Sequence, residues 1–395
     1  MIDDRVARHN TLVLAVAQAL GGASPPIIVS LGGIVGAALA TDKSLATVPV
    51  SLLQLGIALG TLPAAAIMRR FGRRTGYILG ALTGVAAGTI AAAGIVLGSF
   101  LVFCLGTLMA GLYTSYVQSY RFAATDSASP AFRARAISWV MTGGLAAGVI
   151  GPQAVIWTRE VVPAALFAGS FLAQAALALL TIPVVACLRP APVAAEASRS
   201  GGRPLAEIVR QPRFVVAVAA GVVSFALMSF LMTAAPLAMV DCGHSVGTAA
   251  LGIQWHVLAM FGPSFLTPRL MERYGKAPVT AAGLVLIAAA AATGLSGLSV
   301  ANFWLALVLL GLGWNFAFIG ATTLVTECYR PEERAKVQAV NDFLVFGAVA
   351  VASFSSGRLL SAGGWERVNW LVFPPILAVL VLILWQSRRP VAAPA

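Results

Sequence analysis

Twelve times along this chain of 395 residues, a run of about twenty mostly apolar residues gives way to a short polar stretch. A run of that length spans the hydrocarbon core of a bilayer as one helix, and inside that core only the chain itself can satisfy a backbone amide. The runs fall at 12–38, 46–68, 77–97, 99–122, 136–157, 163–186, 213–237, 246–267, 277–298, 302–325, 337–360 and 367–387. With 59% hydrophobic and 10% charged residues and a mean hydropathy of +0.89, the composition excludes a soluble globular domain. The expected fold class is an all-α membrane protein with twelve transmembrane helices. Pro25 and Pro26 in the first run predict a break or kink, which is tolerated where the backbone lines a cavity.

The basic residues alternate from loop to loop. One side carries "RRFGRR" (69–74), Arg133 and Arg135, the arginines from Arg189 to Arg213, "PRLMERYGK" (268–276), "RPEERAK" (330–336) and the terminal pair at 388–389. The other side carries Lys43, Arg159, Arg358 and Arg367. Positive loops stay in the cytoplasm, so both termini are expected there. The net charge of +12 is spread over short loops and is not gathered on one surface with aromatics, so no nucleic-acid partner is expected. The partner implied by composition is the lipid bilayer. The N-terminal apolar stretch is too long for the core of a cleavable signal. Cys104, Cys187, Cys242 and Cys328 show no paired spacing, so neither a disulfide framework nor a zinc ribbon is expected.

Two loop motifs recur. Met68-Arg-Arg-Phe-Gly-Arg73 returns as Met271-Glu-Arg-Tyr-Gly-Lys276 at an offset of 203, and "PAFRAR" (130–135) returns as "PEERAK" (331–336) at an offset of 201. The expected organisation is an N-terminal six-helix half at 1–186, a linker at 187–212 and a C-terminal six-helix half at 213–395. The linker has the Pro, Gly and Ser content of a loop. Parallel six-helix repeats with a midplane site are the architecture of the major facilitator superfamily, which the whole chain resembles. "AAIMRRFGRR" resembles the superfamily's signature between helices two and three, although Arg69 stands where an acid is usual and Glu272 keeps a carboxylate at the equivalent place in the second half.

Residues four apart on a helix share a face, so Met228 pairs with Met232 and, in the next run, His256 pairs with Met260. Counting about 1.5 Å per residue from the ends of the two runs puts both pairs near midmembrane. Three neutral thioethers and one imidazole suit a soft ion such as cuprous copper, and a histidine within a span reads as functional. The same spacing also serves ordinary packing. MxxxM followed by HxxxM resembles the CcoA-like branch of the superfamily, bacterial copper importers that supply cytochrome oxidase assembly. That resemblance implies a metal site at Met228, Met232, His256 and Met260, copper as the transported substrate, no permanently bound cofactor, metal donor or acceptor proteins as partners, a monomer, and location in the bacterial inner membrane. The branch also contains riboflavin transporters, and the superfamily contains proton-driven efflux permeases.

Other residues complete the reading. Met239, Cys242 and His244 in the turn "MVDCGHS" are candidates for outer capture, against a plain polar turn. Cys328 is a candidate for inner release. Asp342 shares a helical face with Gln338 and Asn341 and is a candidate for coupling or gating, or for pairing with the basic rim. "GGLAAGVIGP" (143–152) resembles a glycine-rich motif of proton-driven antiporters and equally suits close helix packing. For an organic substrate such as riboflavin, Tyr113, Tyr116, Gln118, Tyr120, Arg121, Trp314 and Asn315 offer aromatic and hydrogen-bonding groups to a flat molecule. No nucleophile with its base, phosphate loop or H-E-x-x-H pattern is present, so no enzyme is expected. A sensor that binds without transporting remains the alternative to a transporter.

Overall fold

Without water to bond their amides, the apolar runs close their own hydrogen bonds as helices. The computed structural model describes residues 4–126, 128–189 and 202–387, which include every apolar run but not residues 190–201 of the expected linker. Among the described residues nine helical runs are long and apolar enough to cross a membrane, and a bent pair adds another. Two of the nine are each two crossings joined at a glycine of positive φ, Gly72 (83°) and Gly364 (67°), where a side chain would strain the backbone. Twelve crossings result, as expected.

In chain order, α1 covers Asp4–Leu39. Next, α2 and α3 are the arms of Val48–Val96 on either side of Gly72. They are followed by α4 (Phe100–Gln118), α5 (Pro130–Thr158), α6 (Ala168–Ala186) and α7 (Pro212–Asp241). The broken α8 comprises Val246–Phe261 and, past a bend of 54°, Thr267–Tyr274. Then come α9 (Lys276–Leu295) and α10 (Val300–Thr326). Finally α11 is the arm of Arg334–Trp370 before Gly364, and α12 runs from there through Phe373–Ser387.

Three departures from the expected runs have local causes. The polar start of α1 is helical because it docks beside α6: Asn10 Nδ2 donates to the Arg189 carbonyl (3.0 Å) and Asn10 Oδ1 accepts from the Arg189 amide (2.9 Å). The α1 helix is interrupted at Gly22 and Ala23, since Pro25 and Pro26 cannot donate to the carbonyls of Gly21 and Gly22. In α8, Gly262-Pro263 breaks the run expected to be continuous to 267.

The loop repeat has a physical counterpart. Arg73 pairs with Asp126 in the first half, and Lys276 pairs with Glu327, which Arg213 also reaches, in the second. Arg73 and Lys276 occupy matching places in the two motifs, and Asp126 and Glu327 close the matching helices four and ten. With Arg69 at the signature's acidic position, the carboxylate comes from the turn that follows α4 instead.

The halves meet through α1 with α7, α5 with α8, and α2 with α11. At the end away from the basic loops the seam is a buried hydroxyl cluster. Ser51 Oγ donates to Ser353 Oγ (3.2 Å), Thr233 Oγ1 bonds the same hydroxyl (3.1 Å), and Thr47 Oγ1 accepts from the Gly357 amide (3.1 Å). At the basic end a groove of about 790 Å³ runs between α1 and α5, with Leu12, Val16, Arg135, Trp139 and Thr142 in its lining and Phe265 at the break of α8 beside it.

A clasp ties the end of the linker to the second half. Glu333, fully buried, accepts from the Arg203 guanidinium (2.9 and 3.0 Å) and from the Arg203 amide (2.7 Å), and Arg203 also donates to the Cys328 carbonyl (3.1 Å). The Arg203 hydrogen bonds first, against the cost of burial, hold the Glu333 carboxyl down at about 2. A depressed carboxylate stabilises the fold above its ordinary range and loses that contribution only as pH falls toward 2, so the clasp should not change between pH 5 and 8. Hydrogen-exchange mass spectrometry checks this: protection of residues 203–209, corrected for intrinsic rates, should be equal at both pH values. Glu333→Gln should reduce that protection about tenfold, the worth of a charged hydrogen bond.

Candidate functional site

In the second half, aromatic side chains gather where α7, α8, α10 and α11 face one another. Trp314 and Phe318, four residues apart and so on one face of α10, stack at 5.1 Å with their planes 18° apart. Phe225 of α7 meets both edge-on, at 5.3 and 4.9 Å, and meets Phe346 of α11 at 5.9 Å. Phe261 of α8 lies 6.3 Å from Trp314. Trp314 is buried, while the four phenylalanines are only partly so. The layer therefore offers ring faces and edges to something other than its own members.

At this layer, and four or five residues along α7 and α8 from its rings, three buried polar atoms have no hydrogen-bond partner among the described residues: the Trp314 indole Nε1, Ser229 Oγ on α7 and His256 Nε2 on α8. Ser24 Oγ at the break in α1 is another such atom. Ser229 lies four residues beyond Phe225 and His256 five before Phe261, about 6 and 7 Å along their antiparallel helices. Both therefore stand on the sealed side of the aromatic layer. A buried polar group without a partner costs about 1–3 kcal/mol, so each is a group that a ligand would complete. His256 is fully buried and its Nδ1 lies 2.8 Å from the Leu307 carbonyl. A carbonyl only accepts, so Nδ1 carries the proton and Nε2 presents a bare lone pair. Across the seam, Gln153 of α5 donates to Gln254 of α8 at 3.0 Å.

The residues singled out in the sequence distribute unevenly. Met228 and Met232 are buried in the main apolar core, and Met260 packs against that same core. The imidazole of His256 is drawn to the α10 backbone by its bond to Leu307. Met239, expected at the surface, is fully buried because α7 continues helical to Asp241. Cys242 is exposed, with burial of its thiol, then the nearby Asp241 charge, pushing its proton affinity up. His244 spends Nε2 on the Leu298 carbonyl (2.7 Å) and tethers neighbouring loops. Cys328, expected at the inner mouth, is buried in a cluster with Ile208, Phe214 and Val337. Desolvation pushes its thiol up to about 11, so it stays protonated. Asp342 is exposed at the basic end, accepts from Asn341 Nδ2 at 3.1 Å, and senses Arg121 on the other half.

Of the aromatics read for a flat substrate, only Trp314 joins the layer. Tyr113 packs on Gly84, Tyr116 on Gly80, and Tyr120 stands edge-on to Tyr77 at 4.7 Å, all inside the first half. Gln118 and Arg121 are exposed. Asn315 serves the break in α8: its Nδ2 donates to the Met260 carbonyl and to Ser264 Oγ, both at 2.7 Å, and its Oδ1 accepts from Thr267 at 2.5 Å. The sequence reading missed Phe225, Phe261, Phe318, Phe346, Ser24 and Ser229. Their signal was present as aromatic and hydroxyl residues deep in apolar runs, but nothing in the spacing brings four different helices together.

Known proteins give this arrangement a context. The Major Facilitator Superfamily pattern matches residues 10–351 and 258–395. The chain is 61% identical, over the whole of both chains, to the riboflavin transporter RfnT of Brucella anthropi. It is 28% identical to the uncharacterised transporter YdeG of Bacillus subtilis, over 97% of this chain and 93% of that one. In the solved structure of the nucleoside transporter NupG, 14% identical, the same fold covers 97% of this chain and all of the other with a TM-score of 0.77.

The match to RfnT overturns the expectation of copper import, and with it the basis for copper as cargo and for metal-handling partners. The intact methionine and histidine pairs did not discriminate, because sulfur at helical spacing is equally what an apolar core uses, and Met228 and Met232 lie in that core. Replacing Asn315 with Leu should strand the Met260 carbonyl and the hydroxyls of Ser264 and Thr267. The expected cost is about 2 kcal/mol or more, read as a lower Tm of the detergent-purified protein; an unchanged Tm would show that the break in α8 holds without it.

Proposed function

Because the chain belongs to the major facilitator superfamily, and is a membrane transporter and not an enzyme, we propose that it carries riboflavin across a bacterial inner membrane by alternating access. The observation that carries this reading is the 61% identity, end to end, with a riboflavin transporter. The site suits such a cargo. Riboflavin joins a flat tricyclic ring to a chain of hydroxyls, and the second half offers an aromatic layer bordered by unpartnered polar atoms. The ring lies against Phe225, Trp314 and Phe318, and the hydroxyl chain extends toward the break in α1 at Ser24.

In this reading the basic loops and both termini face the cytoplasm, and the hydroxyl-sealed end faces outward. The halves at 1–186 and 213–395 rock about the site to expose it to either side in turn. Arg121 and Asp342, on opposite halves at the basic end, approach when that end closes.

Uptake of riboflavin into cells dependent on external riboflavin, with and without the protein, tests the reading directly. Equal uptake would overturn it. Trp314→Leu should reduce uptake about tenfold by removing a stacking face and an N–H donor. The combined Met228→Leu, Met232→Leu and Met260→Leu variant keeps side-chain volume and should stay within about twofold of the parent, since leucine offers the core a similar apolar wall.

A further inference from the structure

The three unpartnered groups beside the aromatic layer differ in what they can do. The Trp314 indole N–H can only donate, and the Ser229 hydroxyl can do either. The His256 Nε2, with Nδ1 committed to the Leu307 carbonyl, can only accept. Of the groups on riboflavin, the ribityl hydroxyls rotate to donate or accept and make no particular demand for an acceptor. The oxidised ring carries a single N–H, that of its imide, set between two carbonyls. The imide edge therefore reads carbonyl, N–H, carbonyl, and its complement is a donor, an acceptor and a second donor. Indole N–H, imidazole lone pair and serine hydroxyl supply that set.

We propose that His256 is a specificity-determining residue whose Nε2 accepts the imide N–H of the flavin ring, with Trp314 and Ser229 donating to the carbonyls on either side. This rests on the riboflavin reading and deepens it. It also accounts for a histidine buried entirely within a span: a neutral imidazole fixed as one tautomer is a rigid acceptor with no charge to desolvate. A site built to accept one N–H rejects an analogue that lacks it, because the acceptor is then left buried and unpaired.

The test compares riboflavin with 3-methylriboflavin, in which a methyl group replaces the imide hydrogen, by quenching of flavin fluorescence on the purified protein. The full-length parent should bind the methyl analogue at least about tenfold more weakly. In His256→Leu, riboflavin binding should fall to the level of the analogue and the preference should vanish. His256→Gln, whose amide donates to the Leu307 carbonyl and accepts through its oxygen, should restore much of the preference. Equal binding of the two flavins by the parent overturns the proposal. So does a preference that survives in His256→Leu, since that outcome assigns the discrimination to shape alone. If His256→Leu fails to fold, the parent and His256→Gln still decide between these results. Failure of the parent to bind either flavin overturns the riboflavin reading itself.

Discussion

The controlling constraint on this molecule is the absence of water from the bilayer core, which leaves each backbone amide and each buried side-chain polar atom to find its partner within the chain. Helices satisfy the backbone, and where they break the structure makes specific repairs. Asn315 bonds the groups around the break in α8. The break in α1 has no comparable repair at Ser24, whose hydroxyl is buried without a partner. A repaired break and an unrepaired one have different meanings. The first is architecture, and the second leaves a buried hydroxyl that the proposed cargo would complete.

The same constraint shapes the seam between the halves. At the sealed end small residues and hydroxyls let α2, α7 and α11 approach closely, with Thr47, Ser51, Thr233 and Ser353 bonded to one another. Such contacts are individually weak and geometrically undemanding, as suits a seam that must part during transport. At the basic end each half is braced internally, by Arg73 with Asp126 and by Lys276 with Glu327. In the proposed transport cycle, ion pairs within a half and hydroxyl contacts between halves keep each half rigid while leaving the two free to rock.

His256 enters both the expected metal site and the proposed flavin site, for different reasons. His256 was singled out because imidazole is rare inside a span, and that argument holds whichever ligand it meets. Met228 and Met232 were singled out by spacing, and spacing on one helix cannot tell a face turned to a ligand from one turned to the core. The tyrosines of α4 show the same limit, since Tyr113 and Tyr120 share the composition of a stacking site yet fill the interior of their own half against glycines and another tyrosine. Trp314 joins the aromatic layer, and its partners Phe225, Phe318 and Phe346 come together only when α7, α10 and α11 are packed.

By itself the sequence determined what depends on local chemistry and on periodicity. The twelve crossings, the breaks at Pro25-Pro26, the alternation of basic loops and the two-fold repeat all follow from which residues tolerate hydrocarbon and from motifs recurring at offsets of 203 and 201. Tertiary structure alone decided which side chains share a space. The aromatic layer is assembled from four helices, and the bond from His256 to Leu307 joins residues 51 apart. The physical reason is that an isolated apolar helix can turn any face to any neighbour at similar cost, because lipid and protein interior are almost equally apolar to it. Only packing between helices, and the few polar atoms left unpaired by it, selects the face that meets the cargo.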